Sequence, residues 1–131
     1  MVKPETFEDL LAWQKARELA GRLYQVMRTT PLNSDFALAG QMRRAIIAVM
    51  GNLAEGFDSP SHAELIRHVE VARMQCADLR SQLYLALDAG YFDNAVFEDL
   101  RERCTSVSRL IGGLRRSLLR LDGGRSSIRP S

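Results

Sequence analysis

An all-α fold, an up-down-up-down antiparallel four-helix bundle, is what this sequence predicts, and three observations carry the prediction. Apolar residues recur at three- and four-residue steps along four long segments. None of those segments shows the sustained β-branched alternation of a strand. Proline and glycine punctuate the chain between them: Pro31, Pro60, the Gly90-Tyr91-Phe92-Asp93-Asn94 stretch, and Gly123-Gly124 after the last. Connections this short make successive helices antiparallel neighbours. The 131 residues form one domain, and a chain of this size buries roughly two-thirds of its unfolded surface without a disulfide or a metal. The bundle is read as residues 1–122, and residues 123–131 (GGRSSIRPS) as a flexible C-terminal tail.

The first helix is predicted from about Thr6 to Thr29. Thr6-Phe7-Glu8-Asp9 has the form of a capping box, a hydroxyl with an acid three residues on. Ala12, Ala16, Leu19, Leu23 and Val26 make its inward stripe, with Ala20 and Met27 beside it. Phe7, Leu10 and Leu11 project at nearly the opposite angle and need separate cover. The second helix, about Ser34 to Phe57, carries a seam of Met42, Ile46, Val49, Leu53 and Phe57, widened by Ile47, Met50 and Ala54 beyond what a simple surface helix needs. The third is capped by Ser61 with Glu64 closing the box. Its seam is Leu65, Val69, Ala72, Cys76, Leu79, Leu83 and Ala86, and Gly90 ends it. The fourth, about Asp93 to Leu121, repeats the spacing with Val96, Leu100, Cys104, Val107, Ile111, Leu114, Leu118 and Leu121.

Seams of this kind fill one internal core and leave apolar groups over. Phe7, Leu10, Leu11, Val71, Met74 and Leu85 form two such groups, on the first and third helices. Grouped apolar surface of this kind favours a homo-oligomer.

Composition argues for an ordinary soluble protein: 46% hydrophobic and 26% charged residues, with a formal charge of +2. A whole-molecule basic argument for nucleic acid is therefore weak. The cations are sixteen Arg and only two Lys, and Arg suits forked contacts to carboxylate or phosphate. Acids interrupt the MVKPETFEDLLAW start where a signal peptide needs an apolar run. No apolar stretch approaches the roughly 20 residues that span a bilayer. The expectation is a cytoplasmic protein.

Catalytic and metal chemistry find no motif. His62 and His68 are the only histidines, and six residues place them about 120° apart on one helix, too far round to share an ion. No inward Glu-x-x-His, P-loop, GxSxG or GxGxxG is present. Cys76 and Cys104 sit on seams as small hydrophobes. A reducing cytosol keeps them as thiols, with a single cross-helix bridge as the alternative. No enzyme, cofactor or small-molecule substrate is expected.

Two polar surfaces remain. On the second helix Gln41, Arg44, Asn52 and Glu55 lie opposite the seam with Ala48 and Gly51 among them. A glycine in a helix interior costs up to about 1 kcal/mol relative to alanine, so a small-residue face framed by charges suits either solvent or the close approach of another backbone. On the fourth helix Arg109, Arg116 and Arg120 follow Glu98 and Glu102 along the outer face, with Arg115 to one side. Such a gradient complements the helix dipole. With Arg125 and Arg129 it also forms a cluster of six Arg against the single acid Asp122, able to hold phosphates in a salt-dependent way. No aromatic residues interleave it for base stacking, so binding there would be weakly sequence-specific.

Several segments together resemble a known family. Phe7-Glu8-Asp9-Leu10, Trp13-Gln14-Lys15-Ala16, Gln41-Met42-Arg43-Arg44-Ala45, Asn52-Leu53-Ala54-Glu55-Gly56, and later Ala72-Arg73 and Asp78-Leu79-Arg80-Ser81-Gln82-Leu83 are similar to the bacterial four helix bundle family, also called the 23S rRNA intervening-sequence protein family. The likeness covers roughly residues 6 to 121. It implies an up-down bundle assembling as a homopentamer with a central channel. Some members are encoded inside ribosomal RNA genes, and relatives act as accessory variability determinants of diversity-generating retroelements, where a basic pentamer binds nucleic acid and a reverse transcriptase. Two departures touch presumed contact surfaces: the usual Ser-Ile-Pro-Ser is Ala48-Val49-Met50-Gly51, and the usual Glu-Leu-Glu is Asp78-Leu79-Arg80.

The functional expectation is a non-enzymatic homo-oligomeric bundle binding RNA or DNA backbones. Arg109, Arg115, Arg116 and Arg120 are its phosphate contacts, with Arg43 and Arg44 behind them. Gln41, Arg44, Asn52, Glu55 and Gly56 form the motif cluster, and Phe7, Leu10, Leu11, Val71, Met74 and Leu85 the oligomer surface. The alternative is a protein-interaction scaffold that binds no nucleic acid.

Overall fold

Four helices run in sequence, α1 (Leu11–Thr29), α2 (Phe36–Asp58), α3 (His62–Asp88) and α4 (Asn94–Ile128), with one-turn 3-10 helices at Phe7–Asp9 and Pro31–Ser34. This computed structural model describes the backbone of residues 4–128 and the side chains of residues 4–121. No strand occurs among the described residues. Each helix packs on its sequence neighbours and α1 closes against α4, the α2–α3 contact being the most extensive.

The N-terminal end differs from expectation. Asp9 does close the Thr6 box: its Oδ2 accepts from the backbone N–H groups of Glu5 (3.2 Å) and Thr6 (3.3 Å) and from the Thr6 hydroxyl (3.4 Å). That box caps only one 3-10 turn, because Leu10 is extended (φ −76°, ψ 119°) and α1 starts at Leu11 rather than Thr6. The kink turns Phe7 edge-on to Trp13, with ring centroids 5.1 Å apart, and packs Leu10 against the core. Two of the six residues expected at an oligomer surface are thus partly covered within the chain.

A second difference lies before α2. Ser34 ends the Pro31–Ser34 turn by donating its hydroxyl to the Pro31 carbonyl (2.6 Å), and Asp35 is the cap, accepting from the Leu38 N–H at 3.0 Å. Leu32, inside that turn, is fully buried. The Tyr91 hydroxyl donates to the other Asp35 oxygen at 2.7 Å, which ties the α3–α4 connection to the start of α2.

Ser61 caps α3, accepting from the Glu64 N–H at 3.3 Å, while the Glu64 carboxylate pairs with Arg67 instead of closing the box. At the other end Gly90 adopts φ +79°. The Tyr91 N–H reaches the Ala86 carbonyl and the Gly90 N–H that of Leu87, the Schellman pattern in which a left-handed glycine satisfies the last helical carbonyls. Asp93 then caps α4 through the Val96 N–H at 2.9 Å. The last helix, expected to end near Leu121, continues through Gly123-Gly124 to Ile128. Each interior glycine costs a helix only about 1 kcal/mol. Arg129 and the remainder of the expected tail, residues 129–131, lie outside the described residues, as do the side chains of Asp122 and Arg125.

The core is apolar, and among the described residues no buried polar residue interrupts it. The α1 stripe is buried entire, as are Met42, Ile46, Val49 and Leu53 of α2, the α3 seam from Val69 to Ala86, and Leu100, Cys104, Val107, Ile111 and Leu118 of α4. Seam ends lie looser: Phe57, Leu65, Val96 and Leu114 are half-buried and Leu121 is exposed. Ile47, read as widening the α2 seam, faces outward. No described helix is long and apolar enough to cross a membrane.

Candidate nucleic-acid interface

Facing seams bring α3 and α4 together around Cys76 and Cys104, and the residues just outside those seams form the walls of a groove. Arg73 and Arg80 stand seven residues apart on one face of α3. Thr105, Ser108, Arg109, Gly112, Arg115 and Arg116 follow the three-to-four spacing of α4. Together they line an open groove of about 430 Å³. Glu70 anchors one end by pairing with Arg115 Nε across the two helices and with Arg73 at 3.7 Å. Arg80, Arg109 and Arg116 have no carboxylate within 4.0 Å among the described residues. The Arg116 guanidinium folds over Gly112 and Gly113, 3.6 and 3.8 Å from where their Cβ atoms would stand. The buried Thr105 hydroxyl has no hydrogen-bond partner. Five guanidinium groups facing one carboxylate give the groove a positive potential, and the Ser108 hydroxyl adds a neutral donor.

Arg109, Arg115 and Arg116, expected from the sequence, are therefore brought together, but with different freedom. Arg115 gives its Nε to Glu70 and serves first as a cross-helix tie. Arg120 stands outside the groove on the exposed surface, donating to the Ser117 hydroxyl at 3.3 Å. Arg43 and Arg44 lie on α2. Arg43 is half-buried and donates to Asn33 Oδ1 at 3.0 Å. Arg44 joins Gln41, Ala48, Gln75, Asp78 and Gln82 along a separate shallow groove between α2 and α3. Sequence reasoning missed Arg73, Arg80, Thr105 and Ser108. Their signal is the seven-residue spacing of the two arginines beside the Cys76 seam.

The motif residues divide as well. Gln41 and Arg44 line the α2–α3 groove, where the buried Gln82 Oε1 has no partner. Asn52, Glu55 and Gly56 lie further along α2 around His68. Asn52 Oδ1 is 2.9 Å from His68 Nδ1, its Nδ2 donates to the Ala48 carbonyl at 2.8 Å, and Glu55 approaches His68 only to 3.9 Å. Gly56 is buried against the His68 and Leu65 side chains. His62 is separate, its Nε2 3.1 Å from the Leu118 carbonyl. No cluster of three or more potential metal-ligating side chains exists among the described residues.

Of the remaining residues expected at an oligomer surface, Met74 and Leu85 are exposed, Leu11 is half-exposed and Val71 half-buried. Phe36 and Ile47 of α2, not assigned from sequence to that surface, are also exposed, Phe36 at 83%.

Cys76 and Cys104 are free thiols, both fully buried, with sulfurs 3.6 Å apart. Each S–H also reaches the other residue's backbone carbonyl, at 3.5 and 3.4 Å. The hydrogen bond from Cys104 lowers the Cys76 pKa, burial opposes it, and the Arg80 guanidinium assists. Cys104 is pushed far up by its bond to Cys76, by burial and by the charge Cys76 would carry.

Fold and surface define a class: an antiparallel four-helix bundle whose polar features are grooves between adjacent helices. The chain belongs to the 23S rRNA-intervening sequence protein family, which it matches over residues 8–113. Among solved structures it is similar to a protein with unknown function from the S23 ribosomal protein family of Bacteroides thetaiotaomicron. The two are 18% identical, with a TM-score of 0.75 over 81% of this chain and 96% of that one. At that identity the likeness concerns the fold. No curated protein matches the chain.

Proposed function

We propose that this protein is a non-enzymatic, cytoplasmic, homo-oligomeric bundle that binds the phosphate backbone of RNA or DNA through the α3–α4 groove. One observation carries the reading: Arg80, Arg109 and Arg116, from two helices, converge on one groove without carboxylate partners among the described residues. Guanidinium groups left unneutralised at a surface attract phosphates and release their counterions. The lining contains no aromatic side chain, so contacts run to the backbone and not to base faces. A net charge of only +2 limits long-range attraction for one chain, and an oligomer that repeats the groove multiplies it. The family resemblance supports a pentamer.

The test is fluorescence anisotropy with labelled single-stranded and duplex oligonucleotides across a salt series. Affinity is expected to fall steeply between roughly 50 and 200 mM salt, as it does for phosphate-dominated binding. It should be lost in Arg80→Glu/Arg109→Glu/Arg116→Glu. Binding that is flat with salt, or unchanged in that variant, overturns the assignment.

A second reading, a protein-interaction scaffold, is favoured by the exposure of Met74, Leu85 and Ile47. It predicts partner or self association that survives the arginine substitutions and is lost in Met74→Asp/Leu85→Asp.

A further inference from the structure

We propose that Cys76 and Cys104 form a built-in modification site, at which a two-electron oxidant such as hydrogen peroxide joins α3 to α4 by a disulfide. The geometry is paired, not merely buried. Both residues sit on the facing seams of antiparallel helices, with sulfurs 3.6 Å apart and each thiol directed at the other residue's carbonyl. A disulfide needs about 2.0 Å between sulfurs, so the remaining gap closes by small side-chain rotations without displacing either helix by a turn. An apolar core has no need of this arrangement, since a cysteine used only as a small hydrophobe packs equally well against any seam neighbour.

The chemistry balances within the pair and the oxidant. The Cys76 thiolate attacks one peroxide oxygen, the O–O bond breaks, and hydroxide leaves as Cys76 becomes a sulfenic acid. The Cys104 sulfur then attacks that sulfur. The S–S bond forms, the S–O bond breaks, and the departing hydroxide takes the Cys104 proton as water. Two thiols lose two electrons and one peroxide becomes two waters. Cys76 is the better first nucleophile because the contact between the two sulfurs lowers its pKa and raises that of Cys104. Burial makes the first step slower than at an exposed thiol. It also places the resolving thiol in contact, so closure outruns a second oxidation.

The bond would lie beneath the arginine groove. Arg73 and Arg80 stand one turn on either side of Cys76, and Thr105 and Ser108 follow Cys104. The cross-link would therefore set the spacing of the two groove walls.

The experiment uses the full reduced chain. It is incubated with hydrogen peroxide, quenched with catalase, unfolded, alkylated with iodoacetamide and weighed intact. The expected product is a monomer lighter by two hydrogens, carrying no alkyl group and regaining two after dithiothreitol. Its thermal midpoint should rise on the order of 10 °C, because the bridge constrains a long loop of the unfolded chain. Cys104→Ala should instead stop at a sulfenic acid that dimedone traps. The proposal is overturned if the native chain keeps both thiols alkylatable under oxidant that fully oxidises the unfolded chain. Sulfinic acid on either cysteine, or a cross-linked dimer as the main product, overturns it equally. These outcomes are read on the parent chain, so they stand even if the variant fails to fold.

Discussion

Gly56 and His68 touch where α2 crosses α3: a Cβ placed on Gly56 would stand 2.7 Å from the His68 Cβ and 3.3 Å from Leu65 Cδ1. Four residues earlier on α2, Asn52 reaches the same imidazole at 2.9 Å. The Asn52…Gly56 portion of the motif is thus a helix-crossing device, in which glycine sets the approach and asparagine fixes the ring.

Gly56→Ala should therefore destabilise the fold. Overpacking costs typically about 1–3 kcal/mol, against a helix-propensity gain of at most about 1 kcal/mol. Gly51→Ala is the contrasting case, because its added methyl meets nothing within 4 Å. That substitution should stabilise by about 0.5–1 kcal/mol. Urea unfolding of both variants decides the matter. Equal and positive effects would mean that α2 and α3 are not held at this distance in solution.

Arg22 Nε lies 2.6 Å from Asp99 Oδ2, joining α1 to α4, and Arg103 holds the other oxygen at 3.0 Å. The Arg22 hydrogen bond, reinforced by Arg103, keeps the Asp99 carboxyl below its ordinary range. A carboxylate depressed in the folded state adds stability that is fully present above its unfolded pKa, near 4, and is lost as the pH falls through the lower folded value. Both side chains are about a third exposed, so solvent screening limits the contribution to about 1 kcal/mol or less. Asp99→Asn should lower the urea midpoint at pH 7 and have little effect at pH 2. A constant difference across that range would assign the loss to packing instead.

Tyr91 donates to Asp35, and the backbone N–H of Leu38, joined by that hydroxyl, lowers the Asp35 pKa. Tyr91→Phe should move the Asp35 titration up towards the ordinary carboxylate range. A carbon-detected NMR titration of the aspartate carboxyls reads the change, and an unmoved Asp35 would mean that the Tyr91 hydroxyl does not hold it in solution.

Much of the architecture was legible because heptad spacing reports burial directly, and the α1 and α3 seams fall where their periodicity placed them. The helix starts were less legible where two capping residues compete. Ser34 and Asp35 are adjacent, and the tertiary bond from Tyr91, 56 residues away, favours the second. At Thr6 a genuine box closes, but Leu10 is extended and packs, partly buried, against the core while Phe7 meets Trp13, and the helix breaks after one turn. The groove was half legible: Arg109, Arg115 and Arg116 stand out on one helix, whereas Arg73, Arg80 and the pairing of Arg115 with Glu70 depend on the α3–α4 register. A one-dimensional pattern does not carry that register. Cys76 and Cys104, read as seam hydrophobes with a cross-helix bridge as the alternative, meet because the same register holds.

If the α3–α4 groove is the phosphate seat, its arginines are not equivalent. Arg80 and Arg109 line it without carboxylate partners among the described residues, so Arg80→Ala or Arg109→Ala should each lower the slope of log affinity against log salt by about 1. Arg120 points to solvent outside the lining, and Arg120→Ala should leave the slope within error of the parent. Arg115→Ala is distinctive because it leaves Glu70 without its cross-helix partner. Affinity should fall through the freed carboxylate's repulsion of phosphate, and thermal stability should fall with it. Glu70→Gln should reverse the sign on affinity, releasing Arg115 to the groove. Anisotropy titrations at several salt concentrations, paired with melting curves, separate these cases. Equal slopes for Arg80→Ala and Arg120→Ala would place the binding surface along the outer face of α4 and not in the groove.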